Sequence, residues 1–249
     1  MKLPSIGGVF RAALFGAMLA SVAIAGVSVA QTRTTVAHST SLRQDEPSHL
    51  DLMAKWGHVD KIWFVYTQGG AEHRAWKGTA FILKGVGIIT AGHVIDAGLR
   101  ASKDAKIEFR GEELRLVASK SEYDKDLAIL VPANKDSKLL TAGLELSDTE
   151  PCPDSKTKVW AMGFPANSAA ITEGFIKGLS HGLVCAGYYS NGGISGGPIL
   201  ARLDRDLRVV GVSVRGYAVD GVRLPDSLFV KLSVLREFIK EASALKDKR

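Results

Sequence analysis

Ser195 lies in a segment that combines a nucleophilic hydroxyl with unusual backbone freedom. The stretch Asn191–Leu200 (NGGISGGPIL) places four glycines around this serine, just before a proline and two aliphatic residues. Because fixing glycine in a folded backbone costs conformational entropy, such a cluster needs a structural reason. The segment is either a surface turn or a backbone bent so that amide groups and one hydroxyl can meet a substrate.

Two motifs earlier in the chain could activate that hydroxyl. A serine is a weak nucleophile and needs a neighbouring base, commonly a histidine held by a carboxylate. The run VGIITAGHVI ends an apolar strand with a small turn before His93, and YDKDLAILV places Asp126 at the head of a buried strand. Asp124, two residues earlier, is the alternative acid. The order His93, Asp126, Ser195, with spacings of 33 and 69 residues, predicts nucleophilic hydrolysis.

Chain order separates two kinds of serine hydrolase. Gly193–Gly197 also satisfies the G-x-S-x-G pattern of the α/β-hydrolases, whose histidine follows the serine. Here all six histidines precede Ser195, and Pro198 is poorly suited to the helix that follows the serine in that fold. The α/β-hydrolase interpretation is therefore excluded.

Short apolar or alternating runs between turn signals dominate the chain from residue 61 onward. Two sets of six read as strands, at residues 61–66, 78–83, 86–90, 105–109, 113–119 and 127–131, and at 158–164, 171–178, 181–187, 197–203, 207–214 and 227–232. Only residues 234–246 show a helical period. This pattern predicts an all-β fold of two antiparallel six-stranded β-barrels, at about 59–135 and 150–232, followed by a C-terminal α-helix at about 233–246.

The three motifs together resemble those of the trypsin-like serine proteases, which have the chymotrypsin fold. The family's T-A-[AG]-H motif corresponds to the residues ending at His93, its D-[IL]-A motif to those starting at Asp126, and its nucleophile loop to those around Ser195. The runs VWAMGFP and VVGVSV also look like the family's strands on either side of that loop. The resemblance covers about residues 60–240 and suggests a compact bacterial type without a PDZ domain.

The resemblance implies a secreted serine endopeptidase that works through an acyl-enzyme. In it, His93 would be the general base and then the acid, Asp126 would hold the imidazole, and Ser195 would attack the peptide bond. The amides of Gly193 and Ser195 would form the oxyanion hole. Two alternatives remain open: a catalytically silent protein of the same fold that binds a peptide or an envelope partner, and an esterase with the same triad.

The family's substrate-pocket positions are occupied here by Tyr189, Ser213, Val214 and Arg215. Tyr189 stands where relatives specific for Arg and Lys carry an acid, so a basic preference is not expected. Arg215 replaces a glycine and would shorten the pocket or lend it positive charge. We therefore expect small or acidic side chains next to the scissile bond. Ile194 replaces an aspartate used in zymogen activation, which predicts that no such cleavage is needed.

The first thirty residues have the layout of a secretory signal peptide. Lys2 and Arg11 precede the uncharged run Ala12–Ala30, which ends in small residues. Cleavage after Ala30 would make the protein periplasmic or secreted, without a membrane span; an uncleaved anchor is the alternative. Residues 31–58 lack a hydrophobic period and are predicted to be a flexible leader, so the protease domain would span residues 59–249.

The resemblance implies a protein or peptide substrate, and the composition argues against a nucleic-acid partner. Removing the two positive charges of residues 1–30 lowers the net charge from +6 to +4, without the dense basic block of a nucleic-acid-binding protein. With two cysteines, no H-E-x-x-H motif and no P-loop, no metal or other cofactor is expected. Cys152 and Cys185 could pair in an oxidising compartment or remain buried thiols. A monomer is expected.

Overall fold

A computed structural model describes residues 46–203, 205–219 and 222–246. Twelve strands and three α-helices lie within these ranges. The predicted signal peptide and the leader up to residue 45 lie outside the described residues. Among the helices that the structure describes, none has the length and apolar character needed to cross a membrane.

The first six strands close into a barrel. They are β1 (Val59–Gln68), β2 (Ala71–Leu83), β3 (Gly87–Thr90), β4 (Lys106–Phe109), β5 (Glu112–Ser121) and β6 (Asp126–Pro132). Their order around the barrel is β1-β2-β3-β6-β5-β4, and β4 pairs back onto β1. Alternate residues point inward, and the fully buried rings of Phe64, Phe81 and Phe109 fill the interior.

The remaining six strands close a second antiparallel barrel. They are β7 (Lys158–Gly163), β8 (Ala170–Ser180), β9 (Leu183–Ala186), β10 (Pro198–Arg202), β11 (Leu207–Val219) and β12 (Val222–Lys231). The order is β10-β11-β12-β9-β8-β7, around a core that includes Ile199, Val210 and Phe229. The predicted pair of six-stranded antiparallel barrels is confirmed, and so is the C-terminal helix.

That helix, α3 (Leu232–Lys246), buries Leu235, Phe238 and Ala242. It contacts β11 and β12 of the second barrel and also β5 and β6 of the first. It therefore packs against both barrels.

Two helices depart from the sequence-based expectation. The leader was expected to be flexible through residue 58, but α1 (His49–Trp56) forms there, and Ser48 and Asp51 make reciprocal capping hydrogen bonds at its start. The turn expected at His93 is instead the first turn of α2 (Gly92–Ala101). This helix has two glycines and no side-chain cap, so its sequence carries few helical signals.

We expect Gly98→Ala to lower the free energy of unfolding by about 1–3 kcal/mol, the usual range for overpacking. A Cβ on Gly98 of α2 would lie 2.1 Å from the Phe64 ring in the barrel core. Helix propensity alone would make alanine about 1 kcal/mol more stable than glycine at this position. A decrease in the free energy of unfolding would therefore indicate the contact with Phe64. Urea denaturation measures it.

Gly57→Ala is the matched control, because a Cβ there meets only the Ala54 carbonyl oxygen at 3.5 Å. Its unfolding free energy should stay within about 0.5 kcal/mol of the parent. A stabilised Gly98→Ala protein would contradict the packing of α2 against Phe64.

Candidate active site

His93 is positioned by the junction between β3 and α2. Strand β3 is buried along its length and ends at Thr90, and α2 begins two residues later at Gly92. A Cβ on Gly92 would lie 1.9 Å from the carbonyl oxygen of Lys120, so only glycine lets the helix start against β5. His93 follows at once, with 40% of its side chain exposed.

Strand pairing brings Asp126 to His93. Because β3 and β6 pair antiparallel, with Thr90 opposite Ala128, the start of β6 lies beside the end of β3. Asp126 is the first residue of β6, and its side chain is fully buried. A charge in this position is stable only if its oxygen atoms are satisfied by donors.

Both carboxylate oxygens of Asp126 hold His93. The backbone N–H of His93 donates to Oδ1 at 2.8 Å, and the imidazole Nδ1 lies 2.5 Å from Oδ2. Since an ionised carboxylate can only accept, Nδ1 carries the proton, and Nε2 of the neutral ring keeps a lone pair. Asp124, the alternative acid, lies instead against the turn at Gly182.

The Ser195 segment of the second barrel is pressed against the first. The Ser195 carbonyl oxygen accepts from the backbone N–H of Thr79 at 2.9 Å. Gly196 has a φ of 88°, and a Cβ there would lie 2.1 Å from Thr90 Oγ1 and 2.9 Å from the nitrogen of Ala91. This close approach, which glycine alone allows, brings the Ser195 backbone near the chain that leads into His93.

The Ser195 hydroxyl donates to the carbonyl oxygen of Val214 at 3.1 Å. Within the described residues, no hydrogen bond joins this hydroxyl to His93. Such bonds are often long or unmade in free enzymes and tighten when substrate binds. The structure thus joins His93 to Asp126 directly and brings the Ser195 backbone close, with its hydroxyl turned toward β11.

Two amides of the Ser195 loop are available as donors. The Gly192 carbonyl accepts from the N–H of Ala166 at 2.8 Å, and the Gly193 carbonyl accepts from Thr79 Oγ1 at 2.7 Å. Gly193 reaches this conformation at a φ of 106°, in the region that favours glycine. Among the described residues, no acceptor takes the N–H of Gly193 or of Ser195. Both are free to bind an anionic oxygen.

Ile194 anchors this loop from below. Its side chain is 2% exposed and packs in the core of the second barrel. A Cβ on Gly163 of β7 would lie 3.0 Å from it, so the strand beneath the loop also depends on a glycine. The loop is therefore held by apolar burial, where an aspartate would require a cationic partner.

The four predicted pocket residues have different surroundings. Tyr189 is 63% exposed, whereas Val214 is buried. Ser213 is also buried, with Oγ 3.0 Å from the Tyr188 hydroxyl. Burial raises the pKa of Tyr188 far above its ordinary value. Arg215 was expected to shorten or charge the pocket, but its guanidinium is directed to Asp126, with Nη2 3.3 Å from Oδ2.

The two cysteines do not form the disulfide that the sequence left open. Cys152 is exposed and Cys185 is buried, and both are free thiols. Burial raises the pKa of the Cys185 thiol. The second barrel is therefore closed by strand pairing and apolar packing without a covalent link between these residues.

Sequence reasoning missed a cluster beside the Ser195 loop, which we call the aromatic–basic wall. It consists of alternating cations and aromatic rings on β1 and β2 and one ring after β7: Lys61, Trp63, Arg74, Trp76 and Phe164. Trp63 and Trp76 are directly opposite in the β1–β2 register. The sequence does contain a signal for this cluster, in the tripeptides KIW (61–63) and RAW (74–76). Because side chains alternate between the two faces of a strand, each tripeptide places a cation and a tryptophan on the same face.

The wall reaches Gly193 through Trp76. A Cβ on Gly193 would lie 2.3 Å from Cζ2 of Trp76, so the ring packs directly on the loop. The ammonium of Lys61 lies 5.8 Å from the centre of this ring and 5.1 Å from that of Phe164. Arg74 is paired with Glu108, but in the described part of the chain Lys61 has no carboxylate partner. An unpaired cation therefore lies close to the candidate site.

Comparisons with known proteins agree with this architecture. The family model described as "Trypsin-like peptidase domain" matches residues 78–212, which include His93, Asp126 and Ser195. A solved structure titled "HtrA-type protease AlgW with decapeptide" is similar, with a TM-score of 0.58 and 16% identity over 80% of this chain and 68% of that one. Among curated proteins, none matches the sequence. Because the family model covers more than half of the chain, the protein belongs to the family of trypsin-like peptidase domains.

Proposed function

We propose that the protein is a serine endopeptidase that cleaves peptide bonds through an acyl-enzyme at Ser195. The observation that carries this proposal is the His93–Asp126 pair, in which a buried carboxylate accepts from both the imidazole Nδ1 and the backbone N–H. That arrangement leaves Nε2 as the proton acceptor, close to a loop with two free amides. Nothing in peptide binding alone requires these groups together.

The proposed reaction starts when Oγ of Ser195 turns from Val214 to His93. Oγ attacks the peptide carbonyl carbon while Nε2 takes its proton, and Asp126 stabilises the imidazolium that forms. When the tetrahedral intermediate collapses, the C–N bond breaks and Nε2 gives the proton to the leaving amine. Water then attacks the acyl group, again losing a proton to Nε2, and the proton returns to Oγ as the acid leaves.

The free amides of Gly193 and Ser195 would bind the oxyanion of both tetrahedral intermediates. A preorganised donor of this kind contributes about 3 kcal/mol to transition-state stabilisation. The carbonyls on the same two peptides, those of Gly192 and Ile194, accept from the N–H groups of Ala166 and Gly197, so the amides need not reorganise during the reaction. Since Ile194 holds the loop by burial, we propose that the enzyme needs no zymogen cleavage to order it.

We also propose that the protein acts outside the cytoplasm. The support is the layout of residues 1–30, with a charged start, an apolar run and a small-residue end. A mature protein beginning at Gln31 would carry the leader and both barrels. Mass spectrometry of the exported protein tests the cleavage site.

Substrate preference is proposed to depend on the aromatic–basic wall as well as on the pocket. The preference for small or acidic residues next to the scissile bond stays a prediction. The positive charge of Arg215, on which an acidic preference was based, is paired with Asp126. Lys61 lies against the Trp76 ring, which touches Gly193, whereas β11 contacts the loop at Ser195 and Gly196. It would attract an acidic residue on the leaving-group side of the scissile bond.

A fluorophosphonate probe is expected to label Ser195, because only an activated serine reacts with it. Labelling should be lost in His93→Ala and kept in His73→Ala, whose imidazole is exposed and stacks on Tyr66. Ser195→Ala should lower kcat by about six orders of magnitude if the three groups act as a unit. Peptide mapping locates the label.

The outcome of labelling separates the alternatives. A protein that is never labelled would be a binding protein of this fold, which contradicts the proposal. A labelled protein that cleaves esters but no member of a peptide library would be an esterase, and would equally contradict it.

Asp126→Asn should lower kcat by about 10⁴-fold, because an amide can donate to Nδ1 and so favours the wrong tautomer. Asp124→Asn is the control and should change kcat less than about threefold. Steady-state kinetics on a peptide substrate measures both. A larger effect at Asp124 would show that the acid had been assigned to the wrong residue.

Lys61→Gln should lower kcat/KM for peptides with an acidic residue after the scissile bond by about two- to fivefold, as the loss of one partly exposed ion pair would. Peptides with a neutral residue there should be unaffected. Lys77→Gln is the control, since this exposed lysine of β2 is the chain neighbour of Trp76. Equal losses for acidic and neutral peptides would exclude charge recognition by Lys61.

A further inference from the structure

We propose that Arg215 is a positioning residue that shifts the working range of His93 toward lower pH; this inference rests on the proposed function. The Arg215 Nη2 lies 3.3 Å from Oδ2 of Asp126, the same oxygen that meets His93 Nδ1 at 2.5 Å. One carboxylate oxygen is thus shared between the imidazole and a permanent cation.

A β-bulge aims Arg215 at the first barrel. The β11–β12 register shifts between Ser213 and Arg215, so Val214 is the extra residue. Bulges re-aim the side chains that follow them. Without this shift, strict alternation would put Arg215 on the same face as Ser213, whose side chain is buried and bonded to Tyr188.

The guanidinium is held in place on two sides. Its central carbon lies 4.4 Å from the centre of the Tyr123 ring, and Nη2 is 3.5 Å from the Tyr123 carbonyl oxygen. Stacking on an aromatic face and pairing with a carboxylate are both favourable for arginine. The side chain is 34% exposed and Asp126 is fully buried, so solvent screens the pair only in part.

The consequence for catalysis follows from the sign of the charge. The negative charge of Asp126 favours the imidazolium form of His93, and a cation on the same oxygen opposes it. Arg215 therefore helps His93 to stay neutral, and able to accept a proton, in more acidic solution. Removing the positive charge should move the acidic limb of kcat/KM to higher pH by about 0.5 to 1 unit.

Other charged groups near His93 are not altered by changes at position 215. On α2, Asp96 accepts from the Ser121 hydroxyl. Asp124 and Lys125 lie between Tyr123 and β6, and the His181 ring from the β8–β9 turn meets the edge of Tyr123 at 6.0 Å. Because these groups are common to every variant, a difference between variants reports the charge of Arg215.

The test compares Arg215→Gln, which removes the charge, with Arg215→Lys, which keeps it. The pH dependence of kcat/KM is measured for the full chain from about pH 4 to 9. In Arg215→Gln, the acidic limb of kcat/KM should lie at higher pH than in the parent. In Arg215→Lys, the midpoint of this limb should stay within about 0.2 pH unit of the parent, because the shift depends on the charge alone. A merely structural role would lower the plateau of both variants without moving either limb.

A second readout does not need turnover. In a Ser195→Ala background, NMR follows the protonation of the His93 imidazole directly, and its midpoint should rise in Arg215→Gln and not in Arg215→Lys. Arg215→Met replaces the Gln variant if that protein does not fold. Equal midpoints, or equal shifts in the charged and uncharged variants, would overturn the role of Arg215. If the fluorophosphonate probe does not label Ser195 in the parent protein, the proposed function is overturned instead.

Discussion

The buried carboxylate of Asp126 is the constraint on which the site depends. A charge with no exposure to solvent costs several kcal/mol unless donors satisfy it. Here the donors come from α2, through the backbone and ring of His93, and from β11, through Arg215. The start of α2, the pairing of β3 with β6 and the bulge in β11 therefore have to be correct together, or this charge is left without partners.

The site also requires the Ser195 backbone to lie near the imidazole, and close contact between the two barrels provides this. Thr79 makes the main link, because its N–H binds the Ser195 carbonyl and its hydroxyl binds the Gly193 carbonyl. Gly196 permits the approach, since any side chain would strike Thr79 or Thr90. The glycine-rich segment is thus explained by what touches it on each side, and the surface-turn interpretation does not describe it.

The sequence predicted the barrels well because strand alternation and turn residues are local signals. It failed at α1 and α2, since the first lies in a polar stretch where Ser48 and Asp51 cap it, and the second lacks a side-chain cap. Chain order identified His93 and Asp126 as partners. The direction of Arg215 could not be predicted, because it depends on a bulge and on a ring of the other barrel.

The loop and the charge network respond to pH in different ways. Ile194 is buried in the second core, and full burial of such a side chain stabilises by about 1.5–3 kcal/mol without any titrating group. The amides of the loop are therefore held by an interaction that pH does not alter. The base depends on the His93 imidazole and the Arg215 guanidinium, which meet at one oxygen of the Asp126 carboxylate. Acid should therefore act on proton transfer at His93 before it affects the geometry of the loop.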